Sequence, residues 1–138
     1  MRRILLLVSA VLLGLGAVFA PSAWAGSPHF VSVDAQRDGN SLTVSGKEAG
    51  LGNESQVTIE VSATANCINP GGHGPKAANK QSVSNEGTFP VQNGKAVFTL
   101  TVTASFQPEC SPPMTVTFTN VVVADTAHGV VAKVPGTF

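Results

Sequence analysis

The stretch VTIEVSATANC, residues 57–67, alternates apolar and polar side chains over its whole length. A period of two is typical of a β-strand that turns one face towards a core and the other towards solvent. The apolar set ends in a cysteine and comprises Val57, Ile59, Val61, Ala63, Ala65 and Cys67. We therefore predict a half-buried strand whose last inward position is a cysteine.

Two further stretches have the same period. In AVFTLTVTASF, residues 96–106, the predicted inward set is Ala96, Phe98, Leu100, Val102, Ala104 and Phe106. In MTVTFTNVVVA, residues 114–124, the predicted inward set is Met114, Val116, Phe118, Val122 and Ala124. Asn120 interrupts the second pattern. One extra residue in a strand produces a β-bulge, so we predict a bulge or bend near Asn120.

Shorter segments with turn residues between them predict two hairpins. FVSVDAQ (30–36) and SLTVSG (41–46) flank the pair Asp38-Gly39. GTFPV (87–91) and KAVFTL (95–100) flank the triplet Gln92-Asn93-Gly94.

The rest of the chain adds one strand and two irregular segments. VVAKV, residues 130–134, predicts a last strand after a turn. Pro90 predicts that its strand lies at a sheet edge, because proline cannot donate a hydrogen bond to a neighbouring strand. Residues 47–54 and the segment after Cys67 lack a strand pattern.

Six or seven short strands at intervals of about ten residues indicate an all-β chain. The predicted fold is an immunoglobulin-like antiparallel β-sandwich of six or seven strands with one disulfide. A small closed barrel is the alternative. No internal repeat or linker is evident, so the loops are the surfaces most free to vary in chemistry.

The first 25 residues have the pattern of a bacterial secretory signal peptide. Arg2 and Arg3 precede an apolar run, and Ala23-Trp24-Ala25 forms a small-x-small cleavage pattern. Cleavage after Ala25 leaves residues 26–138 as a single domain. An uncleaved membrane anchor is the alternative. The apolar run is shorter than the about 20 residues that a membrane-spanning helix needs, which disfavours the anchor. We predict a secreted, extracellular protein with no membrane insertion after cleavage.

The chain contains two cysteines, Cys67 and Cys110. An exported chain enters an oxidising compartment, where two cysteines allow one intramolecular pairing. We predict a Cys67–Cys110 disulfide. Two free thiols and an intermolecular bond are the alternatives.

Charge and aromatic composition exclude some partners. The chain has eight basic and eight acidic residues and a formal net charge of zero. Neither sign forms a run, so the basic surface typical of nucleic-acid-binding proteins is absent. The one Trp lies in the predicted signal, and the chain has no Tyr. This composition disfavours sugar binding by aromatic stacking.

Residues typical of catalysis do not converge in the sequence. The Gly-rich stretch after Cys67 lacks the Lys-Ser or Lys-Thr of a phosphate-binding loop, and no Gly-x-Ser-x-Gly occurs. Glu48 and Glu54 bracket one loop, and we interpret them as solvated residues rather than a catalytic carboxylate pair. We also interpret the three histidines as solvated residues: His29, His73 and His128. The prediction is therefore no enzyme activity, no cofactor and no metal.

Residues 68–80 are predicted to form a loop that the disulfide fixes at its base. Fixing the base lowers the entropic cost of ordering the loop on a partner. The polar side chains that the loop would present are Asn69, His73, Lys76 and Lys80. Two interpretations stay open, a binding surface and a structural loop without a partner.

Several motifs together suggest a family resemblance. They are KEAGLGN (47–53), the strand that ends at Cys67, the Gly-rich segment with AANK (77–80), a second cysteine near proline, and VPGTF (134–138). With these motifs the chain resembles a group of small secreted proteins from actinobacteria and some fungi. That group has no assigned activity, so the resemblance implies no catalytic residue.

A second, more distant resemblance rests on DGNSLTVSGKEAGL, residues 38–51. This stretch is similar to the secreted sandwich apoproteins of enediyne antibiotics, the neocarzinostatin type. The resemblance implies a sandwich with a ligand cleft. That family has two disulfides, whereas this chain has one pair of cysteines.

The expected function is that of a secreted, non-catalytic sandwich acting through its loops as an extracellular or cell-envelope interaction module. Its partner would be an unknown extracellular protein or small molecule. The second hypothesis is a carrier for a small apolar ligand. The third is an inhibitor of secreted proteases that uses the constrained segment QPECSPP, residues 107–113.

Overall fold

The computed structural model of the chain describes residues 27–70 and 79–138. These residues contain seven β-strands and no α-helix, and thus no helix able to cross a membrane. In chain order the strands are β1 (His29–Asp38), β2 (Ser41–Ala49), β3 (Gln56–Ile68), β4 (Lys80–Pro90), β5 (Ala96–Thr103), β6 (Thr115–Asp125) and β7 (Val130–Val134). The predicted signal peptide and most of the predicted binding loop lie outside the described residues.

The strands form two antiparallel sheets. The first has the order β1-β2-β5, and the second has the order β4-β3-β6-β7. The inward faces of both sheets contribute to one hydrophobic core. This architecture confirms the predicted immunoglobulin-like sandwich. It differs from a closed barrel because, within residues 27–70 and 79–138, no ladder of strand pairing joins the sheets.

The core is built from the alternating positions that the sequence predicted. Strand β3 lies inside the second sheet, and its whole predicted inward set from Val57 to Cys67 is buried. The inward set of β5 is buried as well, except that Phe106, beyond the strand, is half-buried. The ring of Phe98 packs against those of Phe30 and Phe89, at centroid distances of 5.8 and 6.2 Å.

The predicted irregularity near Asn120 is a β-bulge. Between Ser62 and Thr64 strand β3 advances by two residues, while its partner β6 covers three, from Val122 to Thr119. Asn120 has a left-handed φ of 51°. Asparagine adopts this conformation more readily than most other residues.

The bulge reverses the alternation of β6. The buried positions are even-numbered before it and odd-numbered after it: Val116, Phe118, Val121, Val123 and Asp125. The prediction that Val122 and Ala124 point inward is therefore wrong, because it continued one parity through the extra residue.

The two predicted hairpins have different outcomes. Asp38 pairs with Ser41 across a turn at Gly39 and Asn40, which joins β1 to β2 as predicted. A tight turn also occurs at Asn93-Gly94, but the strands on either side of it belong to different sheets. The second prediction is thus wrong about pairing, because β4 pairs with β3 and not with β5.

Two boundary predictions also need correction. Residues 47–49 continue β2 and pair with β1, and Lys47 and Glu48 pair with β5 as well, although no strand pattern is evident there in the sequence. Lys80 opens β4 opposite Asn66 instead of ending a loop. The edge position predicted from Pro90 is confirmed, since β4 is an outer strand of the second sheet.

Side-chain amides join the two sheets along their neighbouring edges. The amide of Asn85 on β4 donates to the carbonyl oxygen of Thr101 on β5 at 2.9 Å. Gln81 donates to the carbonyl oxygen of Ser105 and accepts from its N–H, at 3.0 and 2.8 Å. These amides take the place of backbone pairing between β4 and the edge formed by β5 and its continuation.

The predicted disulfide joins Cys67 to Cys110, with a Cα–Cα distance of 5.8 Å. Cys67 lies near the end of β3, and Cys110 lies in the connection that passes from β5 in the first sheet to β6 in the second. The bond therefore fixes this crossing connection to β3, an inner strand of the second sheet.

Replacing both cysteines with serine should lower the free energy of unfolding by about 4 kcal/mol, because the bond closes a loop with a sequence separation of 43. Urea unfolding of the oxidised protein and of the double variant measures the difference. Ser111→Ala, next to Cys110, is the control and should unfold like the wild type. A difference below about 1 kcal/mol would contradict a stabilising role for the bond.

Candidate functional site

Four titratable side chains meet at the end of the sandwich opposite the disulfide. They come from the end of β2, the β2–β3 connection, the end of β6 and the β6–β7 turn: Glu48, Glu54, Asp125 and His128. Strand β6 pairs with Cys67 near its start and reaches Asp125 at its end. Its length separates the two regions by roughly 30 Å. We call these four residues the carboxylate–histidine cluster.

Glu48 occupies the last inward position of β2. It continues the parity of Leu42 and Val44, both fully buried, and its own side chain has no exposed surface. A carboxyl group at such a position is costly unless it is protonated, paired or bound to a cation.

Asp125 points into the same interior because of the β-bulge. With an unbroken alternation the parity of Val116 and Phe118 would turn Asp125 outward. The extra residue shifts the inward set, and Asp125 is fully buried.

The turn after β6 brings His128 onto Asp125. The backbone N–H of His128 donates to Asp125 Oδ1 at 3.2 Å, and Nδ1 lies 2.5 Å from Oδ2. On the other side of the ring, Nε2 lies 2.9 Å from Oε1 of Glu54. Both ring nitrogens therefore contact carboxylates, one of them fully buried and the other 44% exposed.

Glu48 differs from the other members of the cluster in having no partner. Both of its carboxyl oxygens are buried and lack a hydrogen bond. Burial, reinforced by the adjacent Asp125 carboxyl, raises the pKa of Glu48 to about 8. In the absence of a cation, Glu48 therefore keeps its proton at neutral pH.

The two carboxylates around His128 favour its charged form. Burial by itself lowers the pKa of the imidazole, but the hydrogen bonds to Glu54 and Asp125 outweigh that effect. The pKa of His128 is therefore raised above its ordinary value. The imidazolium offsets part of the negative charge of the cluster.

The geometry of the cluster suits the binding of a proton or a metal ion better than reaction with a substrate. Glu48 and Asp125 are fully buried, and only His128 and Glu54 reach solvent. Ligand atoms of Glu48, Asp125 and His128 all lie within 4.8 Å of one another. These three residues are the ones that could hold a metal ion.

Two interpretations made from the sequence are wrong. Glu48 is not a solvated surface residue, since it is fully buried. His128 is not an isolated solvated histidine, because its side chain is 22% exposed and both ring nitrogens are bonded. Asp125 precedes His128 by three residues, a metal-ligating spacing that the sequence already contained.

Two of the residues predicted to form a binding loop, Asn69 and Lys80, lie away from this cluster. Asn69 and Lys80 are exposed and flank the loop at the disulfide end of the sandwich. His73 and Lys76 lie outside the described residues.

The surface has shallow depressions that none of the cluster residues line. One of about 490 Å³ lies along β6, β7 and the C-terminal segment, and its lining includes Val121, Val122 and Val134 together with polar residues. Two others, of about 400 and 360 Å³, lie over β3 and β4 and beside the Asn93-Gly94 turn.

Comparisons of the chain with protein-family models, with curated proteins and with solved structures find no match. The two resemblances noted in the sequence therefore stay predictions.

Stability in the presence of EDTA should fall as the pH rises from about 4.5 to about 8. Over this range unfolded Glu48 loses its proton while folded Glu48 retains it, so the folded state is progressively disfavoured. His128 acts in the same direction, since its raised pKa retains a proton that the unfolded chain loses near pH 6.5. Glu48→Gln cannot titrate. The free energy of unfolding of this variant minus that of the wild type should therefore increase by up to about 5 kcal/mol as the pH rises across this range.

Urea unfolding at pH 5, 6.5 and 8 tests this prediction. Glu86→Gln, an exposed carboxyl on β4, is the matched control and should follow the wild-type profile. Parallel profiles for wild type and Glu48→Gln would show that Glu48 does not retain a proton in the folded state.

Proposed function

We propose that the protein is a secreted, non-catalytic interaction module that binds an extracellular or cell-envelope partner through the loop between β3 and β4. The observation that supports this most directly is the anchoring of both ends of that loop. The Cys67–Cys110 disulfide fixes one end, and the pairing of Asn66 with Lys80 fixes the other.

Anchored ends lower the entropic cost of presenting a loop to a partner. Asn69 and Lys80 are exposed where the loop leaves and rejoins the strands. Lys76 and Lys80 would give the segment positive charge in a chain of zero formal net charge. A partner with acidic groups would fit this surface best.

A non-catalytic role agrees with the burial of the cluster at the other end. Its two central carboxyls, Glu48 and Asp125, have no surface at which a substrate could react. The secreted location agrees with the disulfide, since such bonds persist in oxidising compartments.

Replacing the four predicted loop residues Asn69, His73, Lys76 and Lys80 with alanine tests this function. Fluorescently labelled residues 26–138 are titrated onto the envelope fraction and onto the concentrated secreted proteins of the producing cells. Saturable binding of wild type should weaken at least tenfold in the quadruple variant. Its melting temperature should stay within about 2 °C, because Asn69 and Lys80 are exposed and substitutions at exposed positions change stability little.

The matched control is Lys95→Ala/Lys133→Ala, which removes two lysines from other surfaces of the sandwich. It should bind like wild type. Equal binding by the loop variant and wild type would contradict the proposal. A large loss of stability in the loop variant would show that the segment serves packing instead.

A carrier function is the second candidate, supported by the depression along β6 and β7. Its wall combines Val121, Val122, Val134 and Pro135 and could contact a small apolar ligand. Native mass spectrometry of protein purified from its own host separates the two functions. A persistent additional mass that matches an organic small molecule, and not a metal ion, supports a carrier, and its absence contradicts that function.

A further inference from the structure

We propose that Glu48, Asp125 and His128 bind one divalent transition-metal ion of the zinc type between the two sheets, with Glu54 positioning the histidine. The site is independent of the loop to which the binding function is assigned. It lies at the opposite end of the sandwich.

The unpartnered carboxyl of Glu48 is the first observation behind the site. Buried polar groups in folded proteins are hydrogen-bonded with few exceptions, and an exception calls for a cause such as an ion. Both oxygens of Glu48 are buried without a partner. One ligand oxygen of Glu48 lies within 4.8 Å of a ligand atom of Asp125 and of His128. A cation at that point would satisfy them.

The hydrogen bonds of His128 supply the second observation. Metal-bound histidines usually donate their other ring N–H to a carboxylate, which fixes the tautomer and orients the ring. Nε2 of His128 contacts Glu54 at 2.9 Å. A proton on Nε2 leaves Nδ1 as the nitrogen that faces Asp125 and Glu48.

A metal ion replaces the proton between Nδ1 and Asp125 Oδ2, which are now 2.5 Å apart. Zinc bonds of about 2.0–2.2 Å at tetrahedral angles require about 3.3 Å between two ligand atoms. The ring must therefore move by less than about 1 Å. His128 lies in a surface turn and is partly exposed, so it is the ligand best placed to adjust.

The ligand chemistry selects the class of ion. Calcium and magnesium prefer oxygen ligands alone, whereas an imidazole nitrogen combined with carboxylates suits zinc and similar transition metals. With all three carboxyls of the cluster ionised and His128 neutral, the cluster carries three negative charges. A divalent ion offsets two of them.

The ion would connect elements that the sequence separates widely. Glu48 belongs to the first sheet, Asp125 to the second, and His128 to the turn that leads to β7. A bound ion thus joins the two sheets at this end, and it should stabilise the folded state.

Zinc binding by tag-free residues 26–138 tests the site. The protein is treated with EDTA, desalted and titrated with Zn²⁺ by isothermal calorimetry at pH 7.5. Native mass spectrometry counts the ions. One ion per chain is expected, and excess Zn²⁺ should raise the melting temperature of the wild type by at least about 5 °C.

The variants separate ligands from the positioning residue. Glu48→Gln and His128→Gln should each weaken Zn²⁺ binding at least about 100-fold and abolish the rise in melting temperature. Glu54→Gln should weaken binding about 10- to 100-fold with the stoichiometry unchanged. His29→Gln, an exposed histidine on β1, is the control and should bind like wild type.

Circular dichroism and the intact disulfide establish that each variant is folded. Glu48→Gln resembles protonated Glu48, and His128→Gln alters a partly exposed turn, so failure of one variant leaves the other as the test. Wild-type protein without saturable binding, or Glu48→Gln with wild-type affinity, would overturn the site. Tighter binding of Ca²⁺ than of Zn²⁺ would overturn the choice of ion.

Discussion

The single extra residue in β6 is the constraint on which the interior arrangement depends. Strand β3 buries an uninterrupted apolar face, and β6 must match it along a shared ladder. The bulge at Asn120 lets the first half of β6 bury Phe118 and the second half bury Val123 and Asp125. The extra residue thereby turns a carboxyl group inward, where the alternation of the first half would have turned it towards solvent. The carboxylate–histidine cluster is a consequence of this change of parity.

The two ends of the sandwich are fixed by different chemistry. At one end a covalent bond joins Cys67 to the connection that crosses between the sheets. At the other end the sheets meet through Glu48, Asp125 and His128. The strength of the interaction among these side chains depends on their protonation and on cations. The covalent end adjoins the loop proposed to bind a partner. The ionic end is the part of the core that responds to solution conditions, because its charges are buried and their pairing is incomplete.

The sequence was sufficient to predict the fold class, because alternation over β3 and β5 is regular and the cysteines allowed one pairing within the chain. It also located the bulge at Asn120. It could not decide the parity beyond the bulge, since Val121, Val122 and Val123 are equally apolar and hydrophobicity does not distinguish their faces.

The site was harder to predict than the fold. Glu48 continues the inward parity of β2, but residues 47–54 show no strand pattern, so the predicted strand ends at Gly46. The spacing of Asp125 and His128 is visible in the sequence, but it does not reveal that both side chains meet Glu48. The contact of Glu54 with His128 spans 74 residues, so only the folded chain reveals it.

The amides of Gln81 and Asn85 have a consequence for solubility as well. Exposed sheet edges can template polymerisation between identical chains. Here Gln81 and Asn85 occupy backbone groups of Ser105 and Thr101 beside one such edge. A second molecule finds those groups already bonded, which disfavours strand pairing between chains at this edge.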